Sequence, residues 1–248
     1  MDDAVLTMER VRIAYGTSVV ADGIDLAVRP GEFVALVGPS GCGKSSLLNL
    51  WSRRLAPAAG QVGVVGRART VHQQNGLLPW LTIGGNVAFG LRHVVDAAAR
   101  RAQIEALLEL VGLPGSAHLY PAQLSGGMRQ RVELARALAG SAEILLLDEP
   151  FSALDYLARL TLRGELLRIL ARRPRTVVLV THDIEEAVAL ADRVIALGGR
   201  PSRVLLDLPC DGPRPRPPGR PATARLVERV LVALGVACDP KTPAQDGT

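Results

Sequence analysis

Apolar residues fall into short runs along the first 208 positions. Phe33–Val37, residues 144–147 and Thr176–Val180 are apolar throughout or nearly so, and polar or turn residues bound each of them. Runs this short and unbroken predict strands covered on both faces of a parallel sheet. A helical pattern follows each, which is the βαβ alternation of an α/β fold. Residues 6–14 and 23–28 instead alternate apolar with polar positions. That period predicts half-solvated antiparallel strands lying beside the main sheet. Helical runs are expected over residues 45–51 and from the Ser-Gly-Gly at 125–127 to Ala139. The pattern changes near residue 209, where residues 209–221 read PCDGPRPRPPGRP. Such a proline density excludes a helix or a central strand and reads as an extended linker. Leu226, Val230 and Leu234 then recur at helical spacing, which predicts a short terminal helix over 222–234. Residues 239–248 read as a frayed tail. No repeat of fixed period is present.

Composition narrows this picture. The 248 residues are 48% hydrophobic but only 3% aromatic, so the core is built from Ala, Val, Leu and Ile. A single-strand nucleic-acid platform needs several exposed rings, and the chain is too poor in them. The 29 Lys and Arg against 24 Asp and Glu give a net charge of +5, which is modest for this size. The cysteines Cys42, Cys210 and Cys238 are far apart, odd in number and without metal-ligand spacing, so a reducing compartment is expected. No apolar run approaches the roughly 20 residues that cross a bilayer. The start, Met1-Asp2-Asp3, is acidic and unlike a secretory signal.

Candidate chemistry begins at Gly38-Pro39-Ser40-Gly41-Cys42-Gly43-Lys44-Ser45, which fits G-x-x-x-x-G-K-[ST] at every fixed position. It follows a predicted strand and opens a predicted helix, as the motif requires. Glycines let backbone N–H groups turn inward around phosphate oxygens, and the helix N-terminus adds partial positive charge. Lys44 is expected to reach the β- and γ-phosphates and Ser45 to ligate Mg²⁺, with Ser46 beside them. Cys42 reads as a small loop-filling residue. Asp148 and Glu149 end the apolar run at 144–147. Two adjacent carboxylates there are costly without a cation or hydrogen bonds to compensate. Asp148 is placed to hold Mg²⁺ and Glu149 to polarise an attacking water. Ser125-Gly126-Gly127 opens another helix with small residues and free amides, again suited to phosphate.

In this order, the three elements resemble the nucleotide-binding subunit of ABC transporters over about residues 5–208. The resemblance implies a P-loop NTPase ABC cassette: an α/β RecA-like core, an antiparallel β subdomain and an α-helical signature subdomain at about 76–140. The cassette would span 1–208, with 209–248 as a Pro/Arg-rich linker, C-terminal helix and tail. It implies ATP and Mg²⁺ as ligands. By the resemblance, Tyr15 stacks on adenine and Gln73 is the glutamine-loop contact to Mg²⁺ and water, with Gln74 as the adjacent alternative. Ser125, Gly126 and Gly127 form the signature loop, Asp155 ends the loop 152–155 that links two sites, and His182 is the switch histidine. The catalytic set is then Glu149, His182, Lys44 and Gln73, and the metal set Ser45, Gln73 and Asp148.

The family also implies a homodimer with ATP sandwiched head to tail, so that the signature loop of one copy closes on the γ-phosphate held by the other. Residues 77–82 and 86–90, LLPWLT and NVAFG, resemble the nitrate, sulfonate and taurine importer branch, where this region receives a helix of the membrane subunit. Trp80 and Phe89 are expected to be exposed there, although Gly84-Gly85 departs from the branch pattern. The expected partners are a second cassette, a membrane permease and, indirectly, a solute-binding protein, with no nucleic acid. The expected location is the cytoplasmic face of the membrane. An export cassette and a soluble ATPase acting on nucleic acid remain as alternatives, and the solute stays open. The arginines at 214, 216, 220, 225 and 229 read as a solvated linker and tail, with contact to anionic lipid or the partner as the other reading.

Overall fold

The computed structural model describes residues 3–71, 76–152 and 154–236. The chain opens with a hairpin, β1 (Leu6–Tyr15) and β2 (Ser18–Val28), followed by the buried strand β3 (Phe33–Val37), helix α1 (Lys44–Trp51) and strands β4 (Ala59–Val64) and β5 (Ala68–Val71). Next come α2 (Ile83–Ala88), α3 (Ala97–Leu110) and α4 (Gly126–Ala139), then β6 (Ile144–Asp148), α5 (Tyr156–Arg172), β7 (Thr176–Val180), α6 (Ile184–Leu190), β8 (Arg193–Gly198), β9 (Arg203–Pro209) and α7 (Pro221–Ala233). A three-stranded antiparallel sheet runs β2-β1-β4, and a six-stranded sheet runs β5-β6-β7-β3-β8-β9. In the larger sheet only β9 is antiparallel to its neighbour.

The unbroken apolar runs are explained by what lies on each face. Phe33, Ala35, Val37, Leu145, Leu147, Val177 and Leu179 point into a core shared with α2 to α6. Their alternates Val34, Leu36, Ile144, Leu146, Val178 and Val180 point into a second core with α1 and the antiparallel sheet. Each fully buried Leu contributes about 1.5–3 kcal/mol to folding. Trp51 locks α1 to the hairpin: its ring is buried and its Nε1 donates to the Thr7 carbonyl at 3.2 Å.

Two segments differ from the reading above. β2 starts at Ser18, five residues before the alternation does, because Gly23 has φ +66° and the β1–β2 register shifts there. A bulge of this kind breaks the period of two that a sequence pattern relies on. The Pro/Arg stretch after β9 is exposed as a linker would be, except that it is pinned at Arg216. Arg216 is buried, and its guanidinium donates to the carbonyls of Val188 (3.0 Å), Ala191 (2.7 Å), Asp211 (3.0 Å), Gly212 (3.1 Å) and, closely, Cys210. Arg214 pairs with Asp192 at 3.2 Å. The stretch is a strap that caps the C-terminal end of α6, where carbonyls and the helix dipole favour a cation. Beyond it α7 packs on α6 through Val230. Composition hides this, because an arginine that caps carbonyls and one in water look alike in a sequence. Arg216→Met is expected to destabilise the chain by about 3 kcal/mol, since buried carbonyls lose a charged donor. A melting temperature lower by roughly 6–12 °C would record it.

Candidate functional site

The site is built where β1, α1, β6 and β7 end on one side of the sheet. The 38–45 loop needs glycine for space at two points. Gly43, at φ +96°, caps α1, and a Cβ there would lie 2.9 Å from Val20. A Cβ on Gly38 would lie 2.3 Å from the Leu197 carbonyl oxygen. The loop therefore packs against β2 and β8 backbone-first, which turns its amides toward the cleft. Lys44 is buried, and its Nζ donates to the carbonyls of Gly38 (2.7 Å) and Pro39 (2.9 Å). The next residue, Ser45, donates its hydroxyl to Asp148 Oδ1 at 3.0 Å across from β6.

Burial pushes the Asp148 carboxyl above the usual carboxylate range, and the Glu149 charge adds to this; the Ser45 hydrogen bond and the Lys44 charge pull the other way. Folded Asp148 thus holds its proton more tightly than it does in the unfolded chain. Its ionisation opposes folding once pH rises above the ordinary carboxylate pKa, and the penalty vanishes in acid. Asp148→Asn is accordingly expected to raise the melting temperature of the ligand-free chain at pH 7.5, with the gain lost near pH 4. A thermal melt at the two pH values checks the sign.

Glu149 follows in the left-handed region at φ +47°. A non-glycine residue there costs about 1–3 kcal/mol and persists only where its surroundings hold it. They do so from three directions. Its N–H donates to the Val180 carbonyl at 2.9 Å. Its carbonyl accepts from Gln130 Nε2 at 2.8 Å and from Ser152 Oγ at 3.0 Å. The twist turns the carboxylate toward the loop after β7, where Oε1 lies 3.3 Å from His182 Nδ1. His182 itself is well exposed. A cleft of about 360 Å³ is lined by Tyr15, Val20, Ser40, Gly41, Gly43, Lys44, Ser45, Ser46 and Glu149. Tyr15 is half exposed, and its hydroxyl lies 3.1 Å from Ser46 Oγ.

The fold therefore brings together Tyr15, residues 38–46, Asp148, Glu149 and His182. Ser125, Gly126 and Gly127 do not line this cleft. Ser125 caps α4 by accepting from the Met128 N–H at 3.3 Å, and both Ser125 and Gly126 face solvent. Asp155 likewise stands outside the cleft and caps α5 through the Ala158 N–H at 2.9 Å. The glutamine positions Gln73 and Gln74 lie outside the described residues. Sequence reasoning missed Val20, which closes the cleft against Gly43, and Gln130, whose place in an amphipathic helix marks it as no more than polar.

The neighbouring 77–82 loop is organised by the fully buried Asn86, whose amide bonds the backbone of Leu78, Leu81 and Thr82. Trp80 is 71% exposed on it, as expected. Phe89 is only half-buried and carries the Arg92 guanidinium 3.7 Å over its ring, so it is a less open contact than expected. Gly84 fits its place because a Cβ would come within 3.1 Å of the Ala117 carbonyl oxygen.

The chain is similar to known proteins in sequence and in fold. The ABC transporter family pattern matches residues 21–152. An aliphatic sulfonates import ATP-binding protein, SsuB 1, of Agrobacterium fabrum is 45% identical over 230 residues, covering 92% of this chain and 83% of that protein. Its namesake from Nocardia farcinica is 44% identical over 238 residues, covering 96% and 95%. Among solved structures, the dimeric bacterial ABC transporter cassette MJ0796 aligns with a TM-score of 0.75 at 30% identity, covering 84% of this chain and 99% of that one. A dimeric post-hydrolysis state of the same cassette, bound to ADP and phosphate, aligns with a TM-score of 0.74. The chain belongs to the ABC transporter family.

Proposed function

We propose that this chain is the ATP-binding and ATP-hydrolysing subunit of an importer for a small organosulfonate. It acts as a homodimer on the cytoplasmic face of the membrane and drives a separate permease. The observation that carries this reading is the convergence of Lys44, Ser45 and Glu149 on one cleft, with Asp148 bonded to Ser45 and His182 beside the Glu149 carboxylate. The sulfonate assignment draws on the names of the Agrobacterium and Nocardia relatives.

The donor set fits a magnesium nucleotide. A hydroxyl bonded to a buried carboxylate, with a second carboxylate adjacent, is an oxygen-rich position short of positive charge. Mg²⁺ favours such a place, held by few protein oxygens together with phosphate. When bound, the ion neutralises charge on the β- and γ-phosphate oxygens. The protein supplies the rest. Ser45 and Asp148 would hold the ion. Lys44 exchanges its loop carbonyls for phosphate oxygens, and the 38–46 backbone fixes the phosphate chain. Glu149 accepts the proton of the attacking water, and His182, in contact with that carboxylate, orients it. Tyr15 packs on the adenine. Ser125 and Gly126 face outward and, with Gly127, meet the γ-phosphate held by a second copy. Asp155 acts at the same interface, and Trp80 at the surface that meets the permease.

The test is ATP hydrolysis by the chain assembled with its permease, in the presence of a solute-binding protein loaded with one candidate solute at a time. Stimulation by an alkanesulfonate and none by nitrate is expected. Stimulation by nitrate alone overturns the solute. Hydrolysis that no loaded binding protein alters overturns the role in import.

A further inference from the structure

Two flanks of His182 end on one partly buried arginine that no motif includes. Arg163 projects from the third turn of α5, with its side chain 14% exposed. Its Nε donates to Glu186 Oε1 at 2.7 Å, and its terminal nitrogen reaches Asp183 Oδ2 at 3.1 Å. The other Glu186 oxygen accepts from Thr181 Oγ1 at 2.5 Å, and that same hydroxyl accepts from the Asp183 N–H at 3.1 Å. Thr181 and Asp183 are the residues on either side of His182, so the planar guanidinium fixes the turn from both directions. The guanidinium carbon also stands 5.9 Å from the centre of the buried Phe151 ring, two residues beyond Glu149. One side chain thus braces both flanks of His182 and lies near Phe151, in the segment that follows Glu149. Arg159 shares Asp183 at 3.5 Å and leaves its own Nε without a partner among the described residues. It grips Asp183 less closely and does not substitute for Arg163.

α5 is capped by Asp155, which lies in the loop proposed above to meet the second copy. We infer that Arg163 is a positioning residue for hydrolysis, locking the His182 turn and the Glu149 loop to α5 so that the histidine meets the carboxylate only when α5 is in place. The inference rests on the proposed roles of His182 and Glu149. Arginine suits the task because its fork spans two carboxylates in one plane, whereas lysine offers a point charge to one of them.

The test is steady-state ATP hydrolysis by the full chain, read as kcat and KM separately. Arg163→Met would leave Glu186 buried and unpaired, so the folded comparison is Arg163→Met with Glu186→Gln, which keeps an acceptor for Thr181. A drop in kcat of about 10-fold is expected for this pair, with KM for ATP changed less than about 2-fold. Arg163→Lys is expected to recover part of the loss. His182→Ala alone should lower kcat by about 100-fold, and adding the pair to it should cost no more than about 2-fold further, since residues acting through one group are not additive. A merely structural role gives the full 10-fold again on that background and overturns the inference. Wild-type kcat in the folded pair, beside an inactive His182→Ala, overturns the inference alone. Wild-type kcat in His182→Ala overturns the proposed role of the histidine and the inference with it.

Discussion

Glu149→Gln is expected to bind ATP with near-native affinity while its hydrolysis falls by about 10³-fold, the loss that follows removal of a positioned general base. The substitution conserves shape and leaves the backbone anchors intact, because Gln130 and Ser152 bond the Glu149 carbonyl and not its side chain. Folding should therefore be unaffected. The γ-phosphate stays intact, so whatever closed state ATP stabilises should accumulate. Size-exclusion chromatography with ATP is expected to show a long-lived dimer that the wild-type chain forms only transiently. Native hydrolysis in the Glu149→Gln chain would remove Glu149 from the chemistry.

Lys44→Ala is expected to fail one step earlier. Its Nζ is the cation that the loop holds on its own carbonyls, ready for phosphate oxygens. Removing it deletes charge aimed at the transferring phosphoryl group, which costs about 10²–10³-fold in rate. It also weakens nucleotide binding, so kcat/KM is expected to fall by more than about 10³-fold. Titration with a fluorescent ATP analogue separates the effects: Lys44→Ala loses binding and turnover together, and Glu149→Gln loses turnover alone. Equal affinity for nucleotide in both variants would contradict the role assigned to Lys44.

The parts of this site that chemistry demands were legible in the residues. The glycine-lysine loop and the paired acids after an apolar strand are each fixed by spacing along one local segment, whereas His182 is singled out only by the family resemblance. The strands β3 and β7 have the bounds their apolar runs predict, because burial on both faces leaves no freedom of pattern. Gly23 escaped the alternation because a bulge shifts the period, and Arg216 escaped because its carbonyl partners lie on α6 and in its own strap. Gln130 and Arg163 were invisible for a related reason. Each acts through a contact across the fold, on the Glu149 carbonyl and on the flanks of His182, and neither spacing nor composition records such a contact. The outward-facing Ser125 and Gly126 are the part of the proposed site that would act with another copy of the chain.

That last point is the most direct to test. With the native cysteines replaced, Ser40→Cys and Gly126→Cys place one thiol on the phosphate loop and one on the outward turn before α4. A short bifunctional thiol reagent should join two chains through this pair when ATP is present, in the Glu149→Gln background, and should not do so without nucleotide. Failure to link the two positions between chains under any nucleotide condition would contradict the shared phosphate grip on which the account depends.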